Sequence, residues 1–165
     1  MIRDLRKWTI RKAVPDDHSA LTALAHRAKA NWGYPASWIA EWKPALTISP
    51  EYIAQHCVEV AVDSRGQVVG MCSLENRGDH CELEHLWIEP DAQGHGIGSA
   101  LVRRALSMAL QLRQPVRLVA DPFATGFYQR LGAKVIGTRP APMAGDEQRA
   151  LPILQFDVVA PVVFG

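Results

Sequence analysis

Leu86-Trp87-Ile88-Glu89-Pro90-Asp91-Ala92-Gln93-Gly94-His95-Gly96-Ile97-Gly98-Ser99-Ala100-Leu101 decides how this chain is read. An apolar run stops at a proline, three glycines alternate with other residues, and a long helical pattern follows. A glycine-rich turn that opens a helix is an anion site. The first amides of a helix have no intrahelical partner and the dipole is positive there. Glycine lets the backbone take positive φ and come close to a ligand. Two familiar phosphate motifs are excluded by the local sequence. A P-loop ends in Gly-Lys-Ser/Thr, and Gly98-Ser99-Ala100 has no lysine. A dinucleotide turn has the spacing Gly-x-Gly-x-x-Gly, whereas Gly94, Gly96 and Gly98 are evenly spaced and Ser99 stands where the last glycine belongs.

Downstream, the spacing predicts a helix from Gly98 to Leu112. Leu101, Val102, Ala105, Met108, Ala109 and Leu112 form one face, with Arg103, Arg104, Ser107 and Gln111 opposite. Arg113 closes it, where the dipole favours a cation, and Pro115 follows. Val116 to Ala120 reads as a short buried strand. Pro122 suits the first turn of a helix ending at Gly132. Lys134 to Thr138 and Leu151 to Val159 read as two last strands, with a loop over Arg139 to Arg149. Upstream, Val58, Val60 and Val62 alternate, Asp63 to Gly66 makes a turn, and Val68 to Leu74 returns as the second arm of a hairpin. Cys81 to Ile88 is the next strand. Nearer the start, Trp8 to Ala13 alternates as a half-buried strand. Pro15-Asp16-Asp17 then caps a helix carrying Leu21, Leu24, Ala25 and Ala28. Asn31-Trp32-Gly33-Tyr34-Pro35 breaks that helix, and short helical stretches follow at Ser37 to Glu41 and from Pro50-Glu51. The order implies one α/β layer fold and a single domain over residues 1–165.

Composition narrows the function. Eighteen basic and seventeen acidic side chains leave a net charge of +1, without the basic stripe of a nucleic-acid or membrane surface. The pair Arg103-Arg104 reads as a solvated helix face. The three cysteines, Cys57, Cys72 and Cys81, lack CxxC spacing, so neither a zinc site nor a disulfide framework is expected. All three read as small buried hydrophobes. Met1 to Lys12 has no apolar stretch of signal-peptide kind, and no run approaches the roughly 20 apolar residues of a spanning helix. A soluble cytoplasmic protein is expected.

The stretch Leu86 to Leu101 resembles the acetyl-CoA motif of the GNAT acetyltransferase superfamily, whose pattern Arg/Gln-x-x-Gly-x-Gly/Ala is met by Gln93, Gly96 and Gly98. A second stretch, Asp121-Pro122-Phe123-Ala124-Thr125-Gly126-Phe127-Tyr128-Gln129-Arg130-Leu131-Gly132-Ala133, resembles the family's Asn-x-x-Ala-x-x-Phe-Tyr-x-Arg/Lys-Leu-Gly-Phe motif. The resemblance covers roughly Ile10 to Asp157 and is weakest in the first third. It implies a small bacterial single-domain protein. The implied fold is a mixed, mostly antiparallel twisted sheet of about six to seven strands with about four helices. The implied activity is N-acetyl transfer from acetyl-CoA to a small-molecule amine, with a peptide N-terminus or lysine as the alternative acceptor. A non-catalytic acyl-CoA sensor on the same fold is the rival.

By the same resemblance, Gln93, Gly94, His95, Gly96, Ile97, Gly98 and Ser99 cradle the CoA pyrophosphate. Leu86, Trp87 and Ile88 hold the pantetheine arm on a splayed strand. Ala124 and Phe127 line the channel, and Arg130 meets the phosphate end. Asp121 stands where asparagine is usual, and an ionised carboxylate donates no hydrogen bond. No metal is implied. Direct attack needs a neutral amine and a proton for the departing thiolate. Tyr128 holds the position of the family's acid. Glu84 is the candidate base, with Glu82 as fallback. On an alternating strand Glu82, Glu84, Leu86 and Ile88 share one face, and Leu83, His85 and Trp87 the other. His85 reads as a packed or hydrogen-bonded histidine and His95 as a solvent-facing one. On the acceptor side, Lys29-Ala30-Asn31-Trp32-Gly33-Tyr34 and Arg149-Ala150-Leu151-Pro152 resemble stretches of a small bacterial subgroup. Gln148 replaces the glycine usual before Arg149. Trp32, Tyr34 and Arg149 are therefore acceptor-side candidates, although an aromatic pair at a helix end is more often a cap over the core. A homodimer is common in such proteins, but no partner surface is visible in the sequence.

Overall fold

The computed structural model describes residues 4–158. The first three residues of the charged N-terminal stretch and Val159, expected to end the last strand, lie outside the described residues. The elements in chain order are β1 (Thr9–Lys12), α1 (His18–Ala30), α2 (Ala36–Glu41), α3 (Pro50–Gln55), β2 (Cys57–Val62), β3 (Val68–Asn76), β4 (Cys81–Ile88), α4 (Ile97–Gln111), β5 (Val116–Val119), α5 (Thr125–Arg130), β6 (Lys134–Pro140) and β7 (Ala150–Phe156). The strands form one sheet in the order β1-β2-β3-β4-β5-β7-β6. The pairs β1–β2, β2–β3, β5–β7 and β6–β7 are antiparallel, and β4–β5 is parallel. Five helices accompany the seven-stranded sheet among the described residues, in line with the expected mixed sheet and its helices; α2 and α3 are six residues each.

Two compact units divide the chain, the first holding residues up to Leu74 with Glu84–Val102, the second Glu75–Leu83 with the residues from Arg103 on. In the first, Leu21, Leu24 and Ala25 of α1 pack with Ile48, Ile53, Val58, Val60 and Met71 as one cluster. Their helical and alternating spacings turn one face of α1 and one face of β2 inward. Burying each large aliphatic side chain contributes about 1.5–3 kcal/mol. Gly70 on β3 makes a close approach possible. A Cβ there would stand 2.9 Å from Ile88 Cδ1, 3.0 Å from Ile97 Cγ2 and 3.3 Å from Leu101 Cδ1. Only glycine lets the end of β4 and the start of α4 lie this near the strand.

In the second unit, Val116, Leu118, Leu154 and Phe156 are buried on paired strands. The last part of α4 closes with Arg113 at φ 55°, where Gln114 N donates to Ala109 O and Arg113 N to Leu110 O. This is a Schellman close with arginine in the place glycine usually takes. At α5 the same close uses Gly132 (φ 107°), with Ala133 N bonded to Tyr128 O and Gly132 N to Gln129 O.

Three expectations need correction. Cys57 is exposed, while Cys72 and Cys81 are buried. Cys57 is the first residue of β2 and alternates away from the buried Val58 and Val60. α4 starts at Ile97, one residue early, because Gly96 O accepts Ala100 N at 3.1 Å and closes the first turn. β6 runs on to Pro140, carried by pairing of Pro140 with Ala150, so the loop starts at Ala141.

Candidate functional site

In the first unit, β4 leads straight into the glycine turn. Glu89 is 4 % exposed and its N–H donates to Val69 O at 2.9 Å. Arg27, from the last turn of α1, grips its carboxylate. Arg27 Nε lies 3.1 Å from Oε1 and 3.2 Å from Oε2, and Nη2 bonds Oε1 as well. Pro90–Ala92 make one 3-10 turn, with Ala92 N bonded to Glu89 O and Ala92 fully buried. Gly94 then takes φ +83° and Gly96 φ +79°. Nothing lies within 4 Å of where a Cβ would stand at either glycine. Gln93 and His95 are exposed and Ile97 is buried, so the turn is anchored at its end and open along its length. The amides of Ile97, Gly98 and Ser99 precede the helix's own hydrogen-bond ladder. Open glycine positions, converging amides and the positive end of a 15-residue helix fit a diphosphate.

Further back on β4, Glu84 is exposed. Its neighbour His85 is buried, with its N–H donating to Ser73 Oγ at 3.0 Å and its Nδ1 accepting from Trp87 Nε1 at 3.0 Å. That bond assigns the proton of a neutral His85 to Nε2. Ser73 Oγ also lies 2.9 Å from Tyr52 OH, and the Tyr52 ring meets His85 edge-on at 5.7 Å. His85 is a hydrogen-bonded core histidine, as its place in the alternation suggested. Leu86, Trp87 and Ile88 are half-buried.

The acceptor-side aromatics also belong to this unit. Gly33 at φ +82° reverses the chain after α1. Tyr34 stacks on Trp38 at 5.8 Å and meets Trp42 edge-on at 5.0 Å, and Trp38 and Trp42 lie 5.8 Å apart. Lys29 Nζ sits over two of these rings, 5.0 Å from the Tyr34 centroid and 4.5 Å from that of Trp42. Trp32 is half-buried beside this stretch in sequence.

In the second unit, Glu82 faces His80. Its Oε2 lies 3.2 Å from His80 Nε2, and His80 Nδ1 lies 2.6 Å from Asp79 Oδ1. The hydrogen bond from His80 holds the Asp79 carboxyl below the usual range. The register pairs of β4 with β5 are Cys81 with Val116 and Glu82 with Arg117. Asp121 does not need an amide to have a task here. Its Oδ1 accepts Phe123 N at 3.0 Å and caps the Pro122–Ala124 turn that leads into α5. Tyr128 is 6 % exposed and its ring meets Phe127 edge-on at 5.1 Å. Ala124 and Phe127 are half-buried and Arg130 is exposed. Arg149 donates from Nη1 to Ala141 O at 3.3 Å, and its own O accepts Ala141 N. The turn that Gln148 left without a glycine is made by Gly145 at φ +86°, inside a Met143–Asp146 bridge.

Sequence reasoning missed the Arg27–Glu89 pair and the company Trp38 and Trp42 keep with Tyr34. The second had a signal in the i, i+4 spacing of the tryptophans. The first had none, since its partners lie 62 residues apart.

A mixed sheet whose fourth strand feeds an open glycine turn and a long helix defines an α/β protein with a backbone turn shaped to fit a diphosphate. Residues 19–133 match the family model "Acetyltransferase (GNAT) family", and the chain belongs to that family. It is 44% identical over 78 residues to the peptidyl-lysine N-acetyltransferase YjaB of Escherichia coli strain K12, a match over 47% of this chain and 50% of that protein. The chain spans about half the length of the curated relatives it matches. Among solved structures, apo YjaB from Escherichia coli superposes with a TM-score of 0.65 at 27% identity, over 93% of this chain and 98% of that one. The PaiA N-acetyltransferase of Thermoplasma acidophilum in complex with coenzyme A superposes with a TM-score of 0.73 at 20% identity, over 92% and 99%. That likeness is one of fold. Among the described residues no helix is long and apolar enough to cross a membrane, and no group of three or more His, Cys, Asp or Glu side chains is placed to hold a metal ion.

Proposed function

We propose that this chain is an acetyl-CoA-dependent N-acetyltransferase, working as one catalytic domain, that acetylates a primary amine by direct attack in a ternary complex. The observation that carries the reading is the open turn at Gly94 and Gly96 heading α4. Acetyl-CoA bound there supplies an acetyl group already activated as a thioester. The turn from Gln93 to Ser99 holds the pyrophosphate through amides rather than side chains. Backbone groups of Leu86, Trp87 and Ile88 orient the pantetheine arm, Ala124 and Phe127 line its channel, and Arg130 meets the phosphate end. Glu84 takes the proton an ammonium must lose before it can attack, and its exposure lets it meet an amine arriving from solvent. Tyr128 gives its hydroxyl proton to the departing thiolate. Glu82 is the weaker base candidate, because its carboxylate already faces His80.

The acceptor is a primary alkylamine, either a small molecule or the side chain of a peptide lysine. The small amine is what the family resemblance implies. The lysine reading is favoured by the relatives, which carry the name peptidyl-lysine N-acetyltransferase. Release of free thiol from acetyl-CoA, followed over small amines, an N-terminally blocked lysine peptide and a lysine-free peptide with a free N-terminus, tests both. Turnover with either of the first two sets supports the reading and names the acceptor. Acetyl-CoA binding with no turnover on any amine leaves the sensor reading in its place. Failure to bind acetyl-CoA removes both. Tyr128→Phe lowers kcat about 10²-fold or more at nearly constant acetyl-CoA affinity. An unchanged kcat takes the acid role from Tyr128.

A further inference from the structure

Tyr34, Trp38 and Trp42 do more than cover the core. Three rings pack against one another at 5.0–5.8 Å, and an ammonium lies over two of them, Tyr34 and Trp42, with Trp38 packed against both. Lys29 Nζ lies within cation–π range of two of the rings at once. All three rings are half-buried, so the seat is lined by protein and still reached by water. The pieces are assembled by local backbone geometry: Gly33 at positive φ turns Tyr34 back, and the i, i+4 spacing brings Trp38 edge-on to Trp42. The occupant comes from the last turn of α1 on a flexible four-carbon stem. An ammonium carried by such a stem can exchange for another ammonium at the same ring faces, since those faces receive the same charge.

We propose that Tyr34, Trp38 and Trp42 form an alkylammonium seat, held by the chain's own Lys29, which an ammonium of the acceptor displaces. The bound group is a primary alkylammonium distinct from the one acetylated, since a reacting amine must be neutral. Its source is either a free diamine or a lysine side chain near the acetylated one. The acceptor's part in this rests on the proposed acetyl transfer, whereas the seat itself does not.

Tryptophan fluorescence, titrated without acetyl-CoA, tests it. The probes are 1,5-diaminopentane, a doubly blocked lysine and the uncharged 1-pentanol. The proteins are the wild type, Lys29→Met, Lys29→Arg and Trp42→Leu. A tethered ammonium competes at an effective concentration in the millimolar range, so Lys29→Met tightens both ammonium probes by about threefold or more. Lys29→Arg keeps the seat filled and leaves them at the wild-type level. Trp42→Leu weakens both to the level of 1-pentanol. Binding of the diamine alone assigns the seat to a small amine, and equal binding of the blocked lysine assigns it to a lysine side chain. The proposal is overturned if Lys29→Met binds no more tightly than wild type, if Trp42→Leu binds undiminished, or if 1-pentanol binds as well as the diamine. A purely structural Lys29 gives a lower melting temperature and no gain in binding, which also overturns it. Should Lys29→Met fail to melt cooperatively, Lys29→Gln carries the same comparison. An enzyme that acetylates but shows no ammonium binding loses only the seat, and one that binds ammonium without turnover loses only the acetyl transfer.

Discussion

Gly70→Ala tests how tightly the phosphate turn is tied to the sheet. The added methyl would meet Ile88 Cδ1 at 2.9 Å, Ile97 Cγ2 at 3.0 Å and Leu101 Cδ1 at 3.3 Å. Carbon atoms rest at about 3.5–4.0 Å, so the tightest contacts must open by roughly 0.6 Å. Ile88 Cδ1 and Leu101 Cδ1 are the far ends of their side chains and swing aside. Ile97 Cγ2 is a β-branch whose χ1 is stiff, so it moves only with its backbone. That backbone is the first residue of α4, the head of the glycine turn. Overpacking of this kind costs about 1–3 kcal/mol. Alanine in place of a strand glycine returns about 0.5–1 kcal/mol. The net is a loss of about 0–2.5 kcal/mol, or up to roughly 10 °C in melting temperature for a chain of this size. Because Ile97 must shift, acetyl-CoA affinity falls several-fold beyond what the lost stability explains. Thermal melting with and without acetyl-CoA reads both effects. A variant that melts at or above wild type and binds acetyl-CoA unchanged refutes the argument that Gly70 sets the helix start.

Arg27→Met leaves the buried Glu89 carboxylate without its guanidinium and costs about 1–3 kcal/mol by chemical denaturation. Asp17 adds a pH dependence. The Arg11 guanidinium holds its carboxyl below the usual range, so its contribution is complete above about pH 4 and is lost as the pH falls through the lower folded value. The melting-temperature gap between wild type and Asp17→Asn is expected at pH 6 and shrinks as the pH drops below about 4. A gap at pH 3 as large as at pH 6 contradicts it. The thiols differ sharply. Burial, with Glu59 nearby, pushes the Cys72 thiol up to about 12, and Cys81 is buried with its Sγ on Gln114. A disulfide reagent should find one fast thiol per native chain, Cys57, and three after denaturation. More than one fast thiol in the native state contradicts the burial described.

The parts of the fold legible in the sequence are those in which each residue's neighbours in the chain decide its state. β4 was readable from Cys81 to Ile88 because an apolar alternation met a proline stop. The face of α1 was readable because Leu21, Leu24, Ala25 and Ala28 all point one way. What escaped depends on pairing across the chain. β6 reaches Pro140 only because Ala150 pairs with it, and Cys57 is exposed although the next residue of its strand, Val58, is buried. Glu82 shares a strand face with Glu84 and is only the fallback base. Its difference comes from His80, two residues back, whose ring lies 3.2 Å away.

The same division separates donor side from acceptor side. A phosphate turn works through backbone amides, and the conformation it needs is affordable mainly to glycine, so Gly94 and Gly96 announce it in one dimension. An ammonium seat works through side-chain faces, and rings from Tyr34, Trp38 and Trp42 converge only once α1 has ended, Gly33 has turned and α2 has formed. Both devices nevertheless hang on one turn of helix. Arg27 and Lys29, two residues apart at the end of α1, point to different tasks: one clamps Glu89 ahead of the glycine turn, the other fills the aromatic seat. Fraying of that turn would therefore reach both of the proposed sites, through Arg27 on Glu89 and through Lys29 on Tyr34 and Trp42. Leu24, Ala25 and Ala28, buried one turn earlier and within it, hold it against the core. Packing of α1 is thus the condition on which the two sites keep their form.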